Sequence, residues 1–156
     1  MSMLRVQDLG VSIANISPLS GVSFDLERGE IIGVVGESGS GKSLTAMSVM
    51  GLLPLIGGQV DHGTIEFDGI ELTSISENQY RKLRGGRIGL ITQNPMTSLD
   101  PLKKIGPQVD AVSRLHLDHD KLKAKARTIE LLGDLRIPEP ASIYHLYPLQ
   151  MSGGMK

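Results

Sequence analysis

The sequence has 156 residues, a length that predicts one domain with a sizeable core, and its 40% apolar and 21% charged residues are ordinary for a globular protein. The formal net charge of −1 excludes a global field that would attract nucleic acid or anionic lipid. Cysteine is absent, which excludes disulfides and thiolate metal sites. No apolar run approaches the roughly 20 residues that cross a bilayer, so we expect any membrane association to be peripheral.

Short strands are predicted in the first part of the chain. Residues 4–6 and 11–13 are two candidates, and Val22, Phe24 and Leu26 alternate with polar residues in the period of a half-buried strand. The apolar run at residues 31–35 predicts a buried strand. Residues 44–53 then show a helical spacing of apolar side chains, and Pro54 is expected to end that helix.

A complete phosphate-loop motif, G-x-x-x-x-G-K-[ST], lies between that strand and that helix. Its positions are Gly36, Glu37, Ser38, Gly39, Ser40, Gly41, Lys42 and Ser43. The glycines allow successive N–H groups to turn inward around an anion at the N-terminus of the helix. Lys42 is expected to reach the β- and γ-phosphates, and the Ser43 hydroxyl to ligate Mg²⁺. The alternative is a flexible Gly/Ser turn, which the complete motif and its flanks disfavour.

The middle of the chain is predicted to contain a hairpin, a short helix and a strand. Residues 63–72 indicate two short strands around an Asp-Gly turn, and residues 76–84 a helix with Ser76 and Gln79 in capping-box positions. We interpret the local basic cluster as a solvated face. It comprises Arg81, Lys82, Arg84 and Arg87. Residues 87–92 predict another buried strand, which runs into Gln93.

The remainder of the chain is predicted to be mostly helical. Two helices are expected at residues 105–115 and at about residues 121–135. The side chains expected to face inward from the second helix are Ala124, Ile129, Leu132 and Leu135. We therefore divide the chain into an α/β portion, residues 1–93, and a helical portion, residues 94–156.

Three further features accompany the phosphate loop in a fixed order. Arg28-Gly29-Glu30 forms a turn before the phosphate-loop strand, Gln93 is followed by Asn94-Pro95, and the end of the chain carries Ser152-Gly153-Gly154. With the phosphate loop, this set resembles the ATP-binding subunits of ABC transporters, in the branch that imports di- and oligopeptides or nickel. The resemblance implies an α/β P-loop NTPase fold, an ABC-type nucleotide-binding domain with an antiparallel β subdomain and a helical subdomain.

The resemblance also implies roles and partners. Residues 36–43 would bind the phosphates of ATP, and Gln93 would approach Mg²⁺ and the attacking water. Ser152, Gly153 and Gly154 would contact the γ-phosphate of ATP held by a second, homologous ATPase subunit. The implied partners are transmembrane permease subunits and, indirectly, an extracytoplasmic solute-binding protein, with no nucleic acid. The implied location is the cytoplasmic face of the inner membrane, as a peripheral subunit.

Two departures from the family pattern shape our expectations. Where the family places an aromatic residue to stack on adenine, this chain offers Ile13, with Ile16 nearby, so we expect weaker base contact. In the family, the Walker B strand, the catalytic glutamate and the switch histidine follow the signature motif, which residues 147–155 with Ser152-Gly153-Gly154 resemble here, and this sequence contains none of the three. We therefore expect a truncated domain with an exposed apolar strand edge that binds Mg-ATP weakly and does not hydrolyse it alone. The alternatives to a peptide importer are a nickel importer subunit and a non-hydrolysing nucleotide-binding fragment.

Overall fold

The structure is a computed structural model that describes residues 2–93 and 98–152. Contacts between Cα atoms divide the chain into two compact units, one that ends at Arg84 and one that begins at Gly85. The first unit contains the sheet and helices α1 and α2 below, and the second contains helices α3 to α5. Over the two described ranges, no helix combines the length and the apolar character that a bilayer crossing requires.

The strands of the first unit form one antiparallel sheet. They are β1 (Leu4–Ile13), β2 (Ile16–Leu26), β3 (Gly58–Phe67) and β4 (Ile70–Glu71), in the order β2-β1-β3-β4. The two short strands predicted at residues 4–6 and 11–13 are therefore parts of one strand. The interval at residues 7–10 stays in the strand through a bulge, where Asp8 adopts a φ of 48° and the register shifts.

The apolar side of this sheet forms the core of the first unit. Val6, Leu9, Val11 and Ile65 are each at most 1% exposed. The alternation predicted for Val22, Phe24 and Leu26 is confirmed, because these three side chains are half-buried and the residues between them are exposed. The predicted hairpin at residues 63–72 is also confirmed: β3 and β4 pair around the turn at Asp68-Gly69.

Two helices accompany the sheet. Helix α1 (Lys42–Val49) is shorter than predicted, because Gly51 takes a φ of 62° and ends it. A 3₁₀ turn that contains Pro54 follows at Leu53–Ile56. Helix α2 (Glu77–Leu83) begins with the predicted capping box, in which the Ser76 N–H donates to the Gln79 Oε1 at 2.8 Å.

The interpretation of the basic cluster as a solvated face is wrong for Arg84. Its guanidinium donates to the carbonyl oxygens of Met50 and Gly51, each at 2.7 Å, just past the end of α1. It also pairs with Glu77 at 2.7 Å and lies 4.8 Å from the centre of the Tyr80 ring. Carbonyl groups at a helix C-terminus lack partners within the helix, so Arg84 binds α2 to the end of α1.

The strands predicted at residues 31–35 and 87–92 are not formed. Ile31 and Val35 are each 95% exposed, and Ile91 is 99% exposed. An apolar run becomes a strand only when a neighbouring strand satisfies its backbone and another layer covers its side chains. In the described part of the chain, the sheet consists of β1 to β4, and neither run joins it as a further strand. The apolar side chains of these runs are therefore exposed, but the expected strand edge is not formed.

The second unit is built from the two predicted helices and a short third. They are α3 (Ile105–His116), α4 (Lys121–Asp134) and α5 (Pro140–Ile143). The core cluster of this unit contains Ile105, Leu132, Ile143 and Met151.

The inward face predicted for α4 is correct over most of its length. Ala124 and Leu132 are buried and Ile129 is half-buried. Leu135 is 72% exposed, contrary to the prediction. The helix ends at Asp134 and Arg136 takes a φ of 57°, so the helical period no longer determines where Leu135 points.

A buried polar triad joins three parts of the second unit. Asp110 on α3 accepts hydrogen bonds from Thr128 on α4 at 2.6 Å and from the Tyr144 hydroxyl at 2.5 Å. Asp110 and Tyr144 are 6% and 7% exposed, and Thr128 is fully buried. Burial and the bond to Asp110 raise the pKa of Tyr144 to about 12. The phenol therefore stays protonated, as a donor to a carboxylate must.

We predict opposite effects of alanine at two helical glycines of this unit. A Cβ on Gly106 would lie 2.3 Å from the buried Tyr144 ring, whereas a Cβ on Gly133 would meet nothing closer than 3.9 Å. Gly106→Ala should lower the free energy of unfolding by about 1–3 kcal/mol through overpacking. Gly133→Ala should raise it by up to about 1 kcal/mol through helix propensity. Urea unfolding followed by circular dichroism measures both, and shifts in the same direction would contradict this packing.

Candidate functional site

The phosphate loop has the backbone shape that the motif requires. Gly39 and Gly41 take φ values of 87° and 88°, a region that side chains with a Cβ resist. A Cβ on Gly36 would lie 2.6 Å from the Ser40 hydroxyl, so the first glycine leaves room for the loop to close. The Ser40 N–H donates to the Glu37 carbonyl at 3.2 Å, which completes a turn inside the loop.

The Lys42 side chain donates hydrogen bonds to the backbone of the phosphate loop. Its Nζ donates to the carbonyl oxygens of Gly36 at 2.8 Å and Glu37 at 2.6 Å, and lies 3.2 Å from the Ser40 hydroxyl. The loop residues 36–40 are exposed and Lys42 is half-buried, so an incoming anion reaches the ammonium by displacing these oxygen partners. The carbonyl groups of Gly36 and Glu37 therefore turn toward the lysine.

The loop is anchored to the sheet at Gly41. This residue is buried, and a Cβ there would lie 2.5 Å from the Leu19 Cδ1 of β2. The Gly41 carbonyl accepts from the N–H of Thr45 at 2.9 Å and from its hydroxyl at 3.1 Å. The hairpin of β1 and β2 therefore packs against the point where the loop becomes a helix. Ile13 lies at the tip of that hairpin, paired with Ile16 across the turn, and is half-buried.

The N-terminus of α1 presents backbone N–H groups to the loop. No side chain caps this end of the helix and its first turn carries no acidic residue. The first N–H groups of a helix lack partners within it, and the helix dipole makes this end positive. Ser43, in the same turn, is exposed. The arrangement is suited to a polyphosphate, with the Ser43 hydroxyl available to a hard cation bound beside it.

The remaining predicted site residues belong to the second unit. Gln93 is exposed and follows residues 87–92, which do not join the sheet of the first unit. Ser152 is exposed and follows Met151, which is 7% exposed and packs in the core cluster. Gly153 and Gly154 lie outside the described residues, as do Asn94 and Pro95.

Sequence reasoning missed several residues that position the site. Leu19 supports Gly41, and in the second unit Asp110, Thr128 and Tyr144 form the triad beside the segment that leads to Ser152. Thr128 could have been found, because it falls between Ala124 and Leu132 at the spacing of one helix face. The bond between Asp110 and Tyr144 joins residues 34 positions apart, and local periodicity carries no signal for it.

Comparison with known proteins identifies relatives along nearly the whole chain. The family model described as ABC transporter matches residues 19–156. The oligopeptide transport ATP-binding protein OppD of Bacillus subtilis is 40% identical over 99% of this chain and 44% of its own length. The dipeptide transport ATP-binding protein DppD of Escherichia coli is 39% identical over 99% of this chain and 48% of its own length. The chain thus spans less than half the length of these curated relatives.

Solved structures show the same fold at lower identity. The dimeric ATP-binding cassette MJ0796, described as bound to ADP and Pi, superposes with a TM-score of 0.82 at 22% identity. The match covers 98% of this chain and 65% of that cassette. A structure described as the ATP-binding subunit of an ABC transporter superposes with a TM-score of 0.74 at 23% identity, over 99% of this chain and 57% of its own. The predicted ABC-type nucleotide-binding fold is confirmed, in part of its length, and the chain belongs to the ABC transporter family.

Proposed function

We propose that this chain is the part of a di- or oligopeptide importer ATPase that binds Mg-ATP and carries the signature segment. The observation that carries the proposal is the phosphate loop wrapped around the Lys42 ammonium, at the uncapped N-terminus of α1. The names of the relatives, which describe ATP-binding proteins of oligopeptide and dipeptide transport, support the choice of substrate.

The residues of the loop fit a triphosphate. Gly39 and Gly41 have the positive φ that an anion-binding loop of N–H groups requires, and the first turn of α1 would add donors that have no partner within the helix. In the proposed complex Lys42 exchanges its carbonyl partners for the β- and γ-phosphates, and its charge offsets theirs. The Ser43 hydroxyl would hold Mg²⁺, whose charge would offset that of the phosphates, and the Gln93 side-chain amide would be the proposed ligand for the metal and for water.

The proposed signature contact involves a second subunit. Ser152, Gly153 and Gly154 would meet the γ-phosphate of ATP bound to a homologous partner chain. A hydroxyl and two residues without side chains allow close backbone approach to phosphate. Permease subunits in the membrane would hold this peripheral subunit at the cytoplasmic face, and a solute-binding protein outside would deliver the peptide.

We predict that Lys42→Ala weakens Mg-ATP binding by about tenfold to a hundredfold, because a charge-assisted contact with phosphate is lost. Isothermal titration calorimetry on the folded chain measures the change. Lys82→Ala removes an exposed lysine from α2 in the same unit and should leave the affinity unchanged. Equal affinities of Lys42→Ala and the original chain would contradict the proposed role, as would a folded chain without measurable Mg-ATP affinity.

We also propose that Ile13 contacts the adenine base, since its hairpin packs against Gly41 through Leu19. An aliphatic side chain lacks the stacking energy of an aromatic ring, about 0.5–1.5 kcal/mol. Ile13→Tyr should therefore tighten Mg-ATP binding by about twofold to tenfold. Ile13→Leu, which keeps an aliphatic contact, should bind as the original chain does. If the tyrosine variant also leaves binding unchanged in the same titration, Ile13 does not contact the base.

A further inference from the structure

The first two turns of α3 contact two segments of the second unit, one that follows the predicted site residue Gln93 and one that ends in the predicted site residue Ser152. One is the loop at residues 98–104, which follows Gln93 and its neighbours. The other is the segment at residues 144–152, which ends in Ser152. We propose that this part of α3 is a junction that makes the two segments open and close as one body, with Gln108 and Tyr144 as positioning residues for Ser152. The junction itself does not depend on the proposed function. Only its effect on a contact between Ser152 and phosphate rests on that function.

Gln108 organises the first segment through one side-chain amide. Its Oε1 accepts from the Asp100 N–H at 2.8 Å, and its Nε2 lies 3.1 Å from the Asp100 carbonyl oxygen and 3.0 Å from that of Lys103. The backbone of the loop thus closes around a residue of α3. At the start of the loop, the Ser98 and Thr92 hydroxyl oxygens are 2.8 Å apart, which links it to the residue before Gln93.

The same end of α3 binds the second segment through its backbone. The N–H of Ile105 donates to the Leu146 carbonyl at 2.8 Å, and the N–H of Gly106 donates to the Tyr144 carbonyl at 2.9 Å. The next residue is Pro107, which has no N–H to satisfy. The segment that leads to Ser152 therefore caps the two donors with which α3 begins, in place of a side-chain cap.

The Tyr144 side chain adds a buried bond one turn further along α3. Its hydroxyl donates to Asp110 at 2.5 Å, and its ring fills the space over Gly106. Met151 of the second segment shares a core cluster with Ile105, and Leu99 of the first segment packs against that cluster. A displacement of either segment would remove bonds or core contacts that hold the start of α3, and the other segment binds the same two turns of the helix.

Hydrogen exchange of the backbone amides in the full chain, without nucleotide and at low urea concentrations, tests this junction. The probes are the amides of Asp100 and Lys103 on one side, and of Gln150 and Met151 on the other. Both pairs should exchange through one opening with the same equilibrium constant and the same dependence on urea. Different openings on the two sides would overturn the junction, and this result needs no variant.

Variants then test whether the coupling is reciprocal. Tyr144→Phe keeps the ring and should raise exchange at Asp100 and Lys103, across the junction, by about tenfold or more. Gln108→Glu should raise exchange at Gln150 and Met151. Thr128→Val is the matched control, because it removes an equally buried hydrogen bond from the same Asp110 without touching either segment. It should raise exchange in α4 and leave both pairs of probes unchanged.

The outcomes separate the junction from the proposed function. A merely structural role predicts equal effects of Tyr144→Phe and Thr128→Val, and that result would overturn the junction. Faster exchange confined to the segment that carries each substitution would do the same. A chain with the predicted coupling but no Lys42-dependent Mg-ATP affinity would contradict the proposed function alone.

Discussion

The close contact of Gly41 with Leu19 is the constraint on which the phosphate loop depends. At Gly41 the loop ends and α1 begins, and the residue packs against β2 of the sheet. A Cβ on Gly41 would lie only 2.5 Å from a methyl carbon of Leu19. Gly41 has a positive φ, and its carbonyl oxygen accepts hydrogen bonds from both the N–H and the hydroxyl of Thr45. Because the hairpin fixes this one residue, the exposed residues before it can close around Lys42 although no strand holds their other end.

The local features of the fold could be predicted from sequence because each is encoded within a few residues. The capping box of Ser76 and Gln79, the Asp68-Gly69 turn and the extents of α3 and α4 follow from spacing alone. The phosphate loop is also encoded locally, because its glycines and its lysine lie within eight consecutive positions.

Features that depend on a distant partner were missed or misread. Residues 31–35 have the composition of a buried strand, but composition does not supply the neighbour that a strand must pair with. Arg84 lies in a basic stretch that is typical of an exposed surface, and only the fold brings it to the end of α1. In the second unit, the Asp110 and Tyr144 pair needs two helices and a turn to be in place before it can form.

The central claim is that the backbone N–H groups at the start of α1, arranged by Gly39 and Gly41, bind phosphate. A titration of the ¹⁵N-labelled chain with Mg²⁺ and inorganic triphosphate, followed by nuclear magnetic resonance, tests it without any contribution from a base. We predict saturable shifts concentrated at the amides of residues 36–43. Amides of that loop that do not respond, with shifts elsewhere or none, would contradict the account.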